Sequence, residues 1–312
     1  MAIYKGNKKV VAVYKGSTPI NKIYKGVTLV FQKSGGGGGS THLIEGTATG
    51  NFNMNINGKS IPITPDADGK WFYDTDEKIT SLESAFKRAT AVTSVDLSNL
   101  DLTGISTSLM FDSCSNITSI KFNNTKSMKL VDVIRMFDSC KSLTSLDLSS
   151  FDTSNVTHGN SLFNGCSSLV SLGGLSNWNT SNLIAAHYLF VDCKSLTSLD
   201  VSSFDTSNLQ YATYLFAGCS SLVSLDLSNW NTSNFKTANN LFDGCSSLVS
   251  LDLSNFDLSN ATSYGDMFTN CTSLSTIKCK QAFKDWCITH QDTIELPTAM
   301  REGGSGTWEI VG

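Results

Sequence analysis

The sequence predicts an α/β solenoid, with one strand and one short helix per coil, preceded by a small all-β arm and cap. Three observations predict it. Phe-x-x-Cys occurs seven times, at Phe111/Cys114, Phe137/Cys140, Phe163/Cys166, Phe190/Cys193, Phe216/Cys219, Phe242/Cys245 and Phe268/Cys271, in steps of 26, 26, 27, 26, 26 and 26 residues. A fixed period of this length marks units that bury their apolar faces only against their neighbours. Within each unit, an alternating segment is followed by one of helical spacing. Ahead of the units, short alternating stretches are broken by glycine.

The chain begins with a shorter repeat. Ile3-Tyr-Lys-Gly6, Val13-Tyr-Lys-Gly16 and Ile23-Tyr-Lys-Gly26 lie ten residues apart. Alternation with glycine at each boundary reads as three short strands in a meander over residues 1–34. So short a segment cannot build its own core, so it needs a partner, either copies of itself or a larger surface. Gly35–Gly39 opens a flexible linker over residues 35–41. Residues 42–76 then read as a small β cap, with Asn57-Gly58 as a two-residue hairpin turn and Asp68-Gly69 as another turn. A solenoid needs such a cap because its first coil otherwise exposes core and unpaired backbone.

Residues 77–279 are the repeats, about eight coils. In the unit from Cys140, Leu146 and Leu148 alternate and mark the strand, and Phe151 follows as an inward aromatic. The helix is read from Val156, Gly159, Phe163 and Cys166, spaced 3, 4 and 3, and from the matching Leu183/Ala186/Phe190/Cys193 set. Asp152 to Ser154 and Asn179 to Ser181 stand where N-caps belong. Gly165, Gly218 and Gly244 stand where a left-handed residue would close the helix. The extra residue in Leu172-Gly-Gly-Leu175 predicts a bulge in that strand. Residues 280–312 break the period and read as a C-terminal cap, with Trp308-Glu-Ile-Val311 as a closing strand.

The net charge of −4 is unevenly placed. Residues 1–33 hold seven lysines and no acid, so the remainder carries 16 basic against 27 acidic side chains, or −11. Lysines on the wet face of an alternating strand explain the basic arm without nucleic acid. No apolar run is long enough to cross a membrane, and the first residues lack an apolar core of signal-peptide length. Seven of the nine cysteines form one column. In-register side chains about 4.8 Å apart are too far apart at Cβ for good disulfides, so the column reads as buried thiols. Cys279 and Cys287 fall outside it and either pair in the last coil or stay reduced.

Met136-Phe-Asp-Ser-Cys-Lys-Ser-Leu-Thr-Ser-Leu-Asp-Leu-Ser-Ser-Phe-Asp-Thr-Ser-Asn-Val-Thr157 resembles the BspA-type repeats of bacterial surface proteins, a leucine-rich-repeat variant. The likeness covers about two thirds of the chain and implies a leucine-rich-repeat-like architecture rather than a ligand. The repeated I-Y-K-G segments followed by a glycine-rich linker resemble the N-terminal attachment segments of structural proteins in tailed phages of gut bacteria.

The four histidines are scattered, and no zinc pair, phosphate loop or nucleophile elbow occurs, so neither an enzyme nor a cofactor is expected. Outward strand positions read Ser-x-Asp-x-Ser, and stacking places Asp96, Asp147, Asp200, Asp226 and Asp252 in one acidic column, interrupted by Lys121, Gly173 and Lys278. The column is either a face for a polyhydroxylated or cationic ligand, with Ca²⁺ between carboxylates, or a solvated strand face. Phe151, Trp178, Phe204, Trp230 and Phe256 form a second column, read as core filling in preference to sugar stacking.

Together these readings, with the two resemblances, predict a non-enzymatic protein of the virion surface, a fibre or decoration. Its arm would meet other virion proteins through Tyr4, Lys5, Tyr14, Lys15, Tyr24 and Lys25. The solenoid face would meet a host-surface protein or glycan, with trimers expected if the chain forms a fibre. The alternative is a bacterial cell-surface adhesin of BspA type. Neither nucleic acid nor membrane insertion is expected.

Overall fold

The computed structural model describes residues 43–311 other than 124 and 126, together with the backbone of four strands before them. These four are β1 (Tyr4–Lys5), β2 (Lys8–Lys15), β3 (Thr18–Lys25) and β4 (Thr28–Phe31). They pair antiparallel in sequence order, a meander of four strands where the repeat predicts three. The side chains of the six predicted anchor residues and the glycine linker lie outside the described residues.

The cap comprises β5 (Ile44–Ala48), β6 (Phe52–Ile56), β7 (Lys59–Ile63) and β8 (Lys70–Tyr73). The β6–β7 hairpin turns at Asn57 and Gly58, both left-handed at φ 53° and 75°. Asn57 also docks the hairpin on the first coil, its Oδ1 accepting from the amides of Thr80 (2.8 Å) and Ser81 (3.0 Å). Phe52 and Trp71 pack against Phe86, so the cap continues the aromatic core of the coils.

The body is a β-solenoid of about seven turns with very little helix. Its rungs are β9 (Val92–Asp96), β10 (Ser119–Lys121), β11 (Met128–Lys129), β12 (Ser145–Asp147), β13 (Phe151–Asp152), β14 (Ser171–Gly173), β15 (Ser224–Asp226), β16 (Ser250–Leu253) and β17 (Thr276–Lys280). Rungs pair in parallel at one repeat's offset, as in Leu146 with Leu172, Leu225 with Leu251, and Leu251 with Ile277. The last coil is followed by α1 (Gln281–Thr289), the one α-helix among the described residues, and by β18 (Thr307–Val311), parallel to β17. The closing strand thus lies where alternation predicts it.

The predicted helix of each coil is not there. In the segment 107–114, the amides of Leu109, Phe111 and Ser113 bond to Ile134, Met136 and Asp138 of the next coil at 2.7–2.8 Å. The intervening amides of Met110, Asp112 and Cys114 close turns onto the carbonyl three residues back. Two residues per coil are left-handed, four positions apart: Leu109 and Ser113, Ser161 and Gly165, Tyr188 and Asp192, Tyr214 and Gly218, Asn240 and Gly244. An α-helix requires φ near −63° and bonds to the residue four back. A helix of seven or eight residues would also leave most of its terminal N–H and C=O groups without intrahelical partners. Turns that bond alternately within and between coils satisfy nearly all of them. The 3-4-3 spacing therefore identifies the inward side chains correctly, but not the backbone that carries them.

The expected helix caps are turn and ladder residues instead. Asp152, Asn179, Asp205 and Asn231 each accept the amide two residues on, at 2.9–3.1 Å. The buried Thr153, Thr180, Thr206 and Thr232 donate to carbonyls of the next coil at 2.9–3.0 Å. Asn182, Asn208, Asn234 and Asn260 donate back to the preceding coil at 2.6–2.9 Å. The recurring Asp/Asn-Thr-Ser-Asn motif thus splits its bonds among its own turn and both neighbours.

The extra residue of the 27-residue step makes no bulge. The β12–β14 register runs unbroken, and Gly174 takes φ 85° just after the strand. A Cβ there would lie 2.4 Å from the Ser149 nitrogen, so glycine is required.

Phenylalanines 86, 111, 137, 163, 190, 216, 242 and 268 stack ring on ring along the axis, with centroids 5.2–5.9 Å apart. All nine cysteines are buried and free, so Cys279 and Cys287 do not pair. The seven column thiols are more than small hydrophobes. Each donates to the carbonyl of a Phe in the preceding coil, as in Cys219 to Phe190 and Cys245 to Phe216, both at 3.2 Å.

Candidate functional site

The predicted acidic column lies on the rung face, where alternation turns Ser and Asp outward and Leu inward. Parallel pairing sets Asp226 beside Asp252, but Asp96 pairs with Lys121, Asp147 with Gly173 and Asp252 also with Lys278. The carboxylates are engaged. Asp96, Asp147, Asp200, Asp226 and Asp252 each accept the backbone amide two residues on, at 2.9–3.1 Å. Ion pairs join Lys278 to Asp252 at 2.7 Å and Lys121 to Asp96 at 3.6 Å. Hydrogen bonds from the hydroxyl and amide of Ser202 hold the Asp200 carboxyl below its ordinary range. At Asp96 burial opposes ionisation, yet the bonds from Ser98 and the charge of Lys121 still lower its pKa. Among the described residues, no three His, Cys, Asp or Glu side chains group to hold a metal ion.

The aromatic column of Phe151, Trp178, Phe204, Trp230 and Phe256 is buried throughout, and the Trp230 indole donates to Val201 at 3.1 Å. These rings fill the core and offer no stacking surface.

A second acidic pair escaped the sequence reading. Asp112 and Asp138 are buried on successive coils, bridged by Arg135 at 3.3 and 2.9 Å, with Lys87 3.6 Å from Asp112. Burial raises the Asp138 pKa, against a hydrogen bond from Ser139 and the charge of Arg135. The arrangement neutralises two buried carboxylates and ties three coils together.

The feature least like the rest of the solenoid is an aromatic patch on two adjacent coils. Tyr188 and Tyr214 stack at 5.3 Å with planes 14° apart, and His187 lies 5.7 Å from Tyr211. Tyr188 is 42% exposed. Both stacked tyrosines occupy the first left-handed position of their coils, where other coils carry Ser84, Leu109, Arg135, Ser161, Asn240 or Asp266. Burial and the neighbouring His158 lower the His187 pKa, so its ring is neutral near pH 7. The signal was present in the sequence as a break in the repeat, Tyr at both 188 and 214.

A family model described as "Mycoplasma protein of unknown function, DUF285" matches residues 80–195 and again 170–286. The chain belongs to this family. The two matches overlap at 170–195 and together span the coils of this DUF285 solenoid. No curated protein matches the chain. In the segment 295–300 of the DUF285 chain, which follows the last coil, Leu296 and Met300 are buried.

Proposed function

We propose that this DUF285 chain is a non-enzymatic structural protein of a phage particle, a fibre or decoration at the virion surface. Residues 1–34 join it to other virion proteins, and the solenoid projects outward for adhesion. The observation that carries the adhesive reading is how the solenoid disposes of its reactive groups. Burial pushes the thiols of Cys114, Cys166 and Cys219 up to about 12, and each is spent on a core hydrogen bond. The rung carboxylates close turns. What remains outward is a long, regular face of Ser and Asp edged by the exposed Val170, Val223 and Val249, suited to extended contact. Attachment rests on the arm, whose repeated I-Y-K-G segments fall on an antiparallel meander too small to form a core alone.

A second reading, a bacterial cell-surface adhesin of BspA type, is favoured by the family match, since that family is described from a cellular organism. Mass spectrometry of gradient-purified particles and of cell envelopes from the source culture separates the two. Solenoid peptides at fixed stoichiometry to a capsid protein support the virion reading. Peptides confined to envelopes overturn it in favour of the adhesin.

A further inference from the structure

We propose that Tyr188, Tyr214, Tyr211 and His187 form a binding site for a neutral oligosaccharide. The proposal rests on reading the solenoid as an adhesive surface, and it assigns that adhesion to one place and one ligand class.

A pyranose presents an apolar C–H face and a polar rim. It is met by an exposed aromatic ring flanked by hydrogen-bonding groups that carry no charge. The patch has this composition. Its three coil segments read Thr-His-Gly-Asn-Ser (157–161), Ile-Ala-Ala-His-Tyr (184–188) and Gln-Tyr-Ala-Thr-Tyr (210–214), with no acid, Lys or Arg among them. The corresponding segments beyond bring Asp132 and Arg135 on one side and Lys236 on the other. An acidic ligand would find no charged side chain within these three segments. Ser161 and Asn240, at the position of the two stacked tyrosines in the flanking coils, are short, so neither lays a third ring on the stacked pair. Each stacked ring covers one face of the other, which leaves one outer face on each for a sugar.

The tyrosines also stand where the backbone favours other residues. Both have φ near 58°, a conformation that a bulky side chain rarely adopts and that Asn240 occupies in the next coil. Leu109 and Arg135 hold the same conformation at this position in other coils, so the backbone belongs to the fold and only the pair of rings is particular to these two coils.

The test is affinity electrophoresis of the full chain in gels containing glycogen, laminarin, galactomannan or xylan, with polygalacturonate as the acidic control. Retardation in at least one neutral gel and none in polygalacturonate is expected. The double variant Tyr188→Asn/Tyr214→Asn copies Asn240, so its urea midpoint should hold while retardation weakens at least tenfold. No retardation in any neutral gel, retardation only in polygalacturonate, or unchanged retardation of the double variant would each overturn the proposal. Should the double variant unfold, Ser161→Tyr decides: it lays a third ring on the outer face of Tyr188 and must weaken retardation, and no change refutes the site. Binding by the isolated chain does not depend on where the protein resides. A negative gel therefore leaves attachment to particles standing, and absence from particles leaves the patch standing.

Discussion

Ser161 distinguishes a helical coil from a turned one by the sign of a single comparison. It sits in the middle of the segment whose apolar spacing is helical, yet its φ is 56°. Consider Ser161→Gly against Ser161→Ala, two variants that lose the same hydroxyl. In a helix interior, Ala is more stable than Gly by about 1 kcal/mol. In the left-handed region an L side chain costs about 1–2 kcal/mol that Gly does not. The greater freedom of Gly in the unfolded chain returns about 0.4–1 kcal/mol of that. Gly should therefore exceed Ala by about 0.5–1 kcal/mol, and the two geometries differ by about 2 kcal/mol in this comparison. The assay is urea unfolding followed by tryptophan fluorescence, comparing midpoints so that incomplete cooperativity along the repeats affects both variants alike. A higher midpoint for Ser161→Ala than for Ser161→Gly would refute the turned backbone.

Further outcomes follow from the same geometry. Thr206→Val removes the buried hydroxyl that donates to the Asn231 carbonyl at 3.0 Å, and should cost about 1–2 kcal/mol in urea unfolding. The exposed Thr144→Val should stay within about 0.5 kcal/mol. In the native state none of the nine thiols should react with an aromatic disulfide reagent, and all nine should react in denaturant. Burial raises the column thiols, three of them to about 12, so the native chain holds protons that the unfolded chain releases above about pH 8.5. Stability from this source is complete below that pH, so the urea midpoint should be flat from about pH 6 to 8 and fall beyond about pH 9. A midpoint that rises there would refute the role of the thiols. Removal of residues 1–34 should leave the remainder folded with an unchanged urea midpoint but unable to join particles. Loss of folding would show that the arm is part of the solenoid's own structure.

Much of the solenoid was legible from side chains alone. The Phe-x-x-Cys period located the stacked rings and the thiol column, and the Leu alternation located the rungs. Asn57-Gly58 marked the cap hairpin to the residue, because only a left-handed pair suits that turn. The left-handed conformation expected at Gly165, Gly218 and Gly244 is present, but it belongs to a turn and has a companion four residues earlier. The acidic column was less informative than its regularity suggested, since each Asp closes its own turn. The tyrosine patch stands in the sequence only as a departure from the repeat, so the period does not point to it.

The period and the inward and outward faces of the coils could be read from the chain alone, because these depend on which side chains are apolar and how they are spaced. Whether the second half of each coil would be helix or turn was decided only in the tertiary structure. Spacing reports the direction of side chains, whereas backbone amides bond to whatever acceptor lies nearest. In a stack of coils about 4.8 Å apart, that acceptor is as often the neighbouring coil, 25 or 26 residues away, as the chain's own preceding turn.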